Sequence, residues 1–84
     1  MPTTMAEINK AIDAPHRTKA EQYVIQWQFG LLGDFRKALF DCIKLADVYN
    51  LARLNEVFPV EVDGFIQWTL GDLVQRLRAE GLDI

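Results

Sequence analysis

The sequence predicts an all-α fold: a compact bundle of four to six short helices forming a single domain over residues 1–84. Three observations predict it. Apolar residues recur every three or four positions along most of the chain, which is the period of an amphipathic helix. Helix-start patterns recur ahead of those stretches, because a Ser or Thr with Glu three residues later satisfies two orphan amide donors. Strict alternation of apolar and polar residues, the mark of a strand, is almost absent.

The first segment opens on the capping box Thr4-Met5-Ala6-Glu7, and Met5, Ile8 and Ile12 follow at helical spacing. Pro15 closes it, since the residue before a proline is pushed out of helical geometry. Residues 1–15 are expected as a helix packed loosely on the rest, with a free arm or an arm swapped onto a second copy left open. A second box, Thr18-Lys19-Ala20-Glu21, opens the most apolar helix, roughly residues 19–32. Its stripe is Ala20, Val24, Trp27 and Leu31, flanked by Gln22, Ile25, Phe29 and Leu32 with Tyr23 between. So wide an apolar arc belongs to a helix central in its domain or buried on two sides.

Gly33 is expected to end that helix and Asp34 to cap the next, about residues 35–49. Its core stripe reads Phe35, Leu39, Cys42, Leu45 or Ala46, and Tyr49, widened by Phe40 and Ile43. Arg36, Lys37, Asp41, Lys44 and Asp47 fall to the outside. Asn50 is placed to cap a short helix through Leu51, Leu54 and Val57, which Pro59 terminates. Val62, Phe65, Ile66 and Thr69 begin a further helix, continued by Leu70, Leu73, Val74 and Leu77. Gly71-Asp72 is either a fresh start, with Asp72 and Gln75 as a box-like pair, or a soft point in one long helix. Gly81 followed by Leu82 has the form of a C-terminal cap with its hydrophobic contact.

Composition narrows function. Net charge is −3, with five basic and four acidic groups in residues 1–40, two and five in 41–63, and two and three in 64–84. Nucleic-acid binding needs clustered Lys and Arg that displace counterions, so dispersed charge argues against it and against a helix-turn-helix around Gly33-Asp34. The middle segment suits a basic partner. No run approaches the roughly 18 apolar residues of a membrane span, and no basic segment followed by an apolar one suggests a secretory leader; a cytoplasmic location is expected. With Gly counted and Tyr left out, 45 of the 84 residues are apolar, above the ~45–50% of ordinary domains. A small domain has little interior, so part of this surface is expected to meet a second copy or another protein.

Chemistry is mostly eliminated. His16 is the one histidine and lies in the turn Ala14-Pro15-His16-Arg17. Cys42 is the one cysteine and, on the apolar stripe, is expected to be a buried, inert thiol. Asp41, Asp47, Glu61 and Asp63 lack the spacing of a calcium loop, and Gly30 and Gly33 lack that of a phosphate loop. No enzyme activity, cofactor or metal is expected. Aromatic and Arg side chains anchor interfaces, which makes Tyr23, Trp27, Tyr49, Trp68, Arg76 and Arg78 the candidate partner-binding residues. Trp68 is expected towards the edge of its core face, and Arg76 and Arg78 on a solvated face away from Leu73 and Leu77. Lys10, Arg17 and Lys19 bracket the first interhelical turn, so His16, Arg17 and Lys19 are the candidate contacts for a small anionic ligand.

The stretch YVIQWQFGLLGDFRKALFDCIKLADVYNLARLNEVFPVEVDGFIQW, residues 23–68, resembles small helical proteins encoded by bacteriophages and prophages. Its recognisable part is LFDCIKLADVYNLARLNEVFPVEV: a helix, an Asp-x-x-Asn junction, a short Leu-rich helix, then Phe-Pro. The resemblance implies a context in which small acidic proteins bind and inhibit host machinery, including defence systems, and it assigns no active-site residue.

Overall fold

The structure, a computed structural model, describes residues 3–84; Met1 and Pro2, the start of the first segment, lie outside the described residues. Among the described residues the chain forms six helices and no strand: α1 Met5–Ile12, α2 Lys19–Gln28, α3 Asp34–Leu45, α4 Val48–Val57, α5 Pro59–Thr69 and α6 Leu73–Ala79. None is long and apolar enough to cross a membrane.

The expected starts of the first two helices hold. The Thr4 side chain accepts from the Glu7 amide, and Thr18 and Glu21 complete a reciprocal box at α2. The end of α2 comes earlier than Gly33. Gly30 adopts φ +69°, a conformation that costs residues with a Cβ but not glycine. The Leu31 amide donates to Gln26 O at 2.8 Å and the Gly30 amide to Trp27 O at 3.2 Å, a Schellman closure that takes up the last carbonyls. The expected cap at Gly81-Leu82 is built the same way on Arg78 and Leu77, and it buries Leu82.

Gly33, not Asp34, is the N-cap of α3, and α3 stops at Leu45 rather than Tyr49. Asp47, not Asn50, caps α4, its carboxylate accepting from the Asn50 amide at 2.8 Å. Tyr49 therefore stands in the first turn of α4. Pro59 both ends α4 and opens α5 at its first position, where its missing amide hydrogen is no loss. Gly71-Asp72 is a true break between α5 and α6, but the Asp72 side chain makes no cap and instead accepts from Arg76 Nε.

The most extensive helix pairing is α2 on α5. Gly64 permits it: a Cβ there would lie 2.4 Å from the Ala20 carbonyl oxygen, so the two backbones approach where α5 lacks a side chain. The main core gathers Ile8, Ala11 and Ile12 of α1, Val24 and Ile25 of α2, Phe40 of α3, Leu73 and Leu77 of α6, and Leu82. A smaller cluster of Leu39, Ile43 and Val62, with Leu51, Leu54 and Phe58 against it, lies among α3, α4 and α5. Phe65 packs against both. α1 is fastened at both ends: three of its side chains are buried, and Thr3 exchanges two hydrogen bonds with the Asp83 backbone.

The face that α3 turns inward is the main correction to the sequence pattern. Leu39, Phe40 and Ile43 are buried, whereas Phe35, Cys42 and Leu45 are exposed. The apolar arc of α3 is wider than the part the core covers, and contacts with α2 and α5 choose which part that is. Cys42 is accordingly not the buried thiol its spacing predicts.

Candidate interaction surface

The residues singled out by sequence divide into those the fold consumes and those it leaves outside. Trp27 is half-buried, with its ring stacked on Phe40 at 5.3 Å and its Nε1 donating to Asp41 at 3.1 Å. Lys37 Nζ donates to the same carboxylate at 2.9 Å, and these two donors hold the Asp41 carboxyl below its ordinary pKa. Tyr23 is half-buried beneath Arg36, whose guanidinium carbon lies 4.1 Å from the ring centroid, a cation–π contact. Trp68 is half-buried against the main core rather than lying free. Tyr23 and Trp27 thus meet α3, and both pack, with Trp68, against the main core.

Arg76 is partly exposed, as a solvated face predicts, but its guanidinium is taken up by partners within the fold. It donates to Glu21 Oε2 at 2.8 Å, to Asp72 Oδ1 at 3.0 Å and to Gln67 Oε1 at 3.3 Å. Burial alone would raise the Glu21 carboxyl, but bonds from Thr18 and Arg76 outweigh it and hold the pKa low. Glu21 and Asp72 in turn raise that of Arg76. Arg78 is exposed and donates to the Ile84 main-chain oxygen.

Of the three candidate anion contacts, Arg17 is occupied internally. Its side chain is buried, Nε donates to Ala11 O at 2.8 Å, Nη2 donates to Glu80, and Nη1 lies 3.8 Å from Glu21 Oε2. A guanidinium buried in this way ties the α1–α2 turn to α6 and has no surface for a ligand. His16 is exposed with Nε2 3.6 Å from Glu80 Oε2, and Lys19 is exposed on α2. A cavity of about 360 Å³ opens beside them, lined by Lys10, Ala11, Asp13, Ala14, Pro15, His16 and Glu80. Arg17 and Lys19 are not in its wall. An anion there would face the Asp13 and Glu80 carboxylates as well as Lys10, so its electrostatics are mixed. Among the described residues, no three His, Cys, Asp or Glu side chains gather to hold a metal.

Apart from Leu70 at the end of α5, the most exposed large apolar side chains lie on α3 and α4. Phe35, Leu45, Val48, Tyr49 and Val57 are each between 69% and 84% exposed. α4 buries none of its residues, turning only Leu51 and Leu54 partly inward. The Phe35 and Phe58 rings, 6.3 Å apart, connect the start of α3 with the end of α4. Of these residues only Tyr49 was a candidate contact from sequence. The spacing places Phe35, Leu45 and Val57 on helix cores and gives Val48 no role; the signal that points to their exposure is the excess of apolar residues over what one small core can hold. Residues 41–63 carry five acidic against two basic groups, with Asp47 and Glu56 exposed on or beside α4 and Glu61 buried.

Comparison with protein-family models, curated proteins and solved structures finds no match to this chain.

Proposed function

We propose that this chain is a non-catalytic protein-binding module whose docking surface is the outer side of α3 and α4. The observation that carries the proposal is the exposure of Leu45, Val48 and Tyr49, three consecutive large apolar positions across the α3–α4 corner at 79–84%. Large contiguous apolar surface on a small domain marks an interaction site, and an exposed Tyr is an effective interface anchor. The acidic groups around it favour a partner with a basic rim. In the phage setting that the resemblance implies, that partner is a component of host machinery, defence proteins included, met in the bacterial cytoplasm.

The test compares proteins captured by the wild type with those captured by Tyr49→Glu. Tyr49 is 82% exposed, so a matching circular-dichroism melt is expected for the two proteins. A partner held by the wild type and lost from the variant supports the proposal. Identical captures by both would overturn it.

A second reading rests on the cavity at His16, whose size lies in the ~300–1,000 Å³ range of small-ligand sites. A ligand bound there raises the melting temperature with concentration. A flat response to a panel of nucleotides and small zwitterions removes this reading.

A further inference from the structure

We infer that the outer face of α3 is the contact by which two copies of this chain pair, antiparallel, across a twofold axis passing near Phe40. This deepens the proposed function by naming the occupant of the α3 part of the surface, and leaves the α4 part to another protein.

The outer face of α3 carries two rows. At about 100° per residue, Phe35, Ala38, Cys42 and Leu45 form one stripe, and all four are exposed. Beside it run Asp34, Lys37, Asp41 and Lys44, with Lys37 and Asp41 already ion-paired at 2.9 Å. Each row is matched to its own reversal. The apolar spacing reads three, four, three in both directions, with large residues at the ends and small ones in the middle. The charges read minus, plus, minus, plus; reversed, they read plus, minus, plus, minus.

A twofold axis lying between two antiparallel helices brings the same flank of each together. With the axis between Leu39 and Phe40, Phe35 of one copy lies beside Leu45 of the other, and Ala38 beside Cys42. Along the flank, Asp34 meets Lys44 of the second copy and Asp41 meets Lys37. Each of these pairings falls within one residue's rise, about 1.5 Å. The small central pair lets the helices approach closely, and the charge row fixes orientation, because a parallel twofold brings opposite flanks together and sets each charge row against the other copy's apolar row. A face that merely kept α3 in solution has no need of either symmetry.

Light scattering over a concentration series tests this with the intact chain. The wild type is expected to reach twice its 9.6 kDa chain mass. Asp34→Lys and Lys44→Asp alone each set like charges together and should weaken pairing at least ~10-fold. The double variant Asp34→Lys with Lys44→Asp restores complementarity and should recover the dimer. Recovery separates a contact across the interface from damage to either copy, since two lesions in the fold would add. A wild type that stays at monomer mass overturns the pairing, while the capture comparison with Tyr49→Glu still decides the proposed function. A dimer that ignores all three variants overturns it too, by placing the contact on another face.

Discussion

Arg76 Nη1 donates to Glu21 Oε2 at 2.8 Å, so a residue on the last helix closes the carboxylate that caps the second. The two are 55 positions apart in sequence, and their bond joins the α2 N-terminus to α6 where Arg17 and Glu80 make a parallel connection.

Removing the Arg76 end should destabilise the fold without unfolding it. Arg76→Met leaves Glu21 with its Thr18 bonds and the more distant Arg17. Because Arg76 is partly solvent-screened, the loss should be about 1–2 kcal/mol, below that of a fully buried broken pair. Urea unfolding should show a lower midpoint at an unchanged slope.

Acid should act on the same bond. The folded Glu21 pKa lies below its ordinary 4.5, so the stabilisation is fully present above that value and is lost as pH falls through the folded pKa. Asp41, held low by Lys37 and Trp27, adds in the same direction below 3.8. Melting temperature should therefore fall below about pH 4.5, and Glu21→Gln should flatten the descent. An equally steep fall in that variant would assign acid sensitivity elsewhere.

The two faces of α3 should respond oppositely to truncation. Phe40 is fully buried, so Phe40→Ala should cost about 3–5 kcal/mol. Phe35 is 71% exposed and touches Phe58, so Phe35→Ala should cost under about 1 kcal/mol. Chemical unfolding at dilute protein, where self-association contributes least, measures both.

Gly64→Ala should be destabilising although alanine is the better helix former. Its Cβ would meet the Ala20 carbonyl at 2.4 Å, forcing α5 off α2. Overpacking of this kind costs about 1–3 kcal/mol, outweighing the ~1 kcal/mol that alanine gains in helix propensity. A thermal melt showing a stabilised variant would mean the helices separate freely here.

Local rules made much of the fold legible. Thr4, Thr18, Pro59, Gly71-Asp72 and Gly81-Leu82 mark helix boundaries because caps, a fixed φ and a missing Cβ act within a few residues. Two local choices were nonetheless degenerate. Gly30 and Gly33 are both able to end α2, and Asp47 and Asn50 both able to cap α4; the chain's path settled each. The candidate surface was less legible. Tyr49 is nameable from sequence, but the spacing of Phe35, Cys42 and Leu45 points inward because the apolar arc of α3 is wider than the part the core covers.

The sequence by itself determined that the chain is helical, roughly where its helices start and stop, and that it holds more apolar residues than a small core absorbs. Only the tertiary structure decided which arc of α3 is covered, that Arg17 and Arg76 are internal ties, and that Gly64 admits α2. The reason is range. Periodicity and capping depend on neighbours within a turn, whereas burial of a face depends on which distant helix arrives against it.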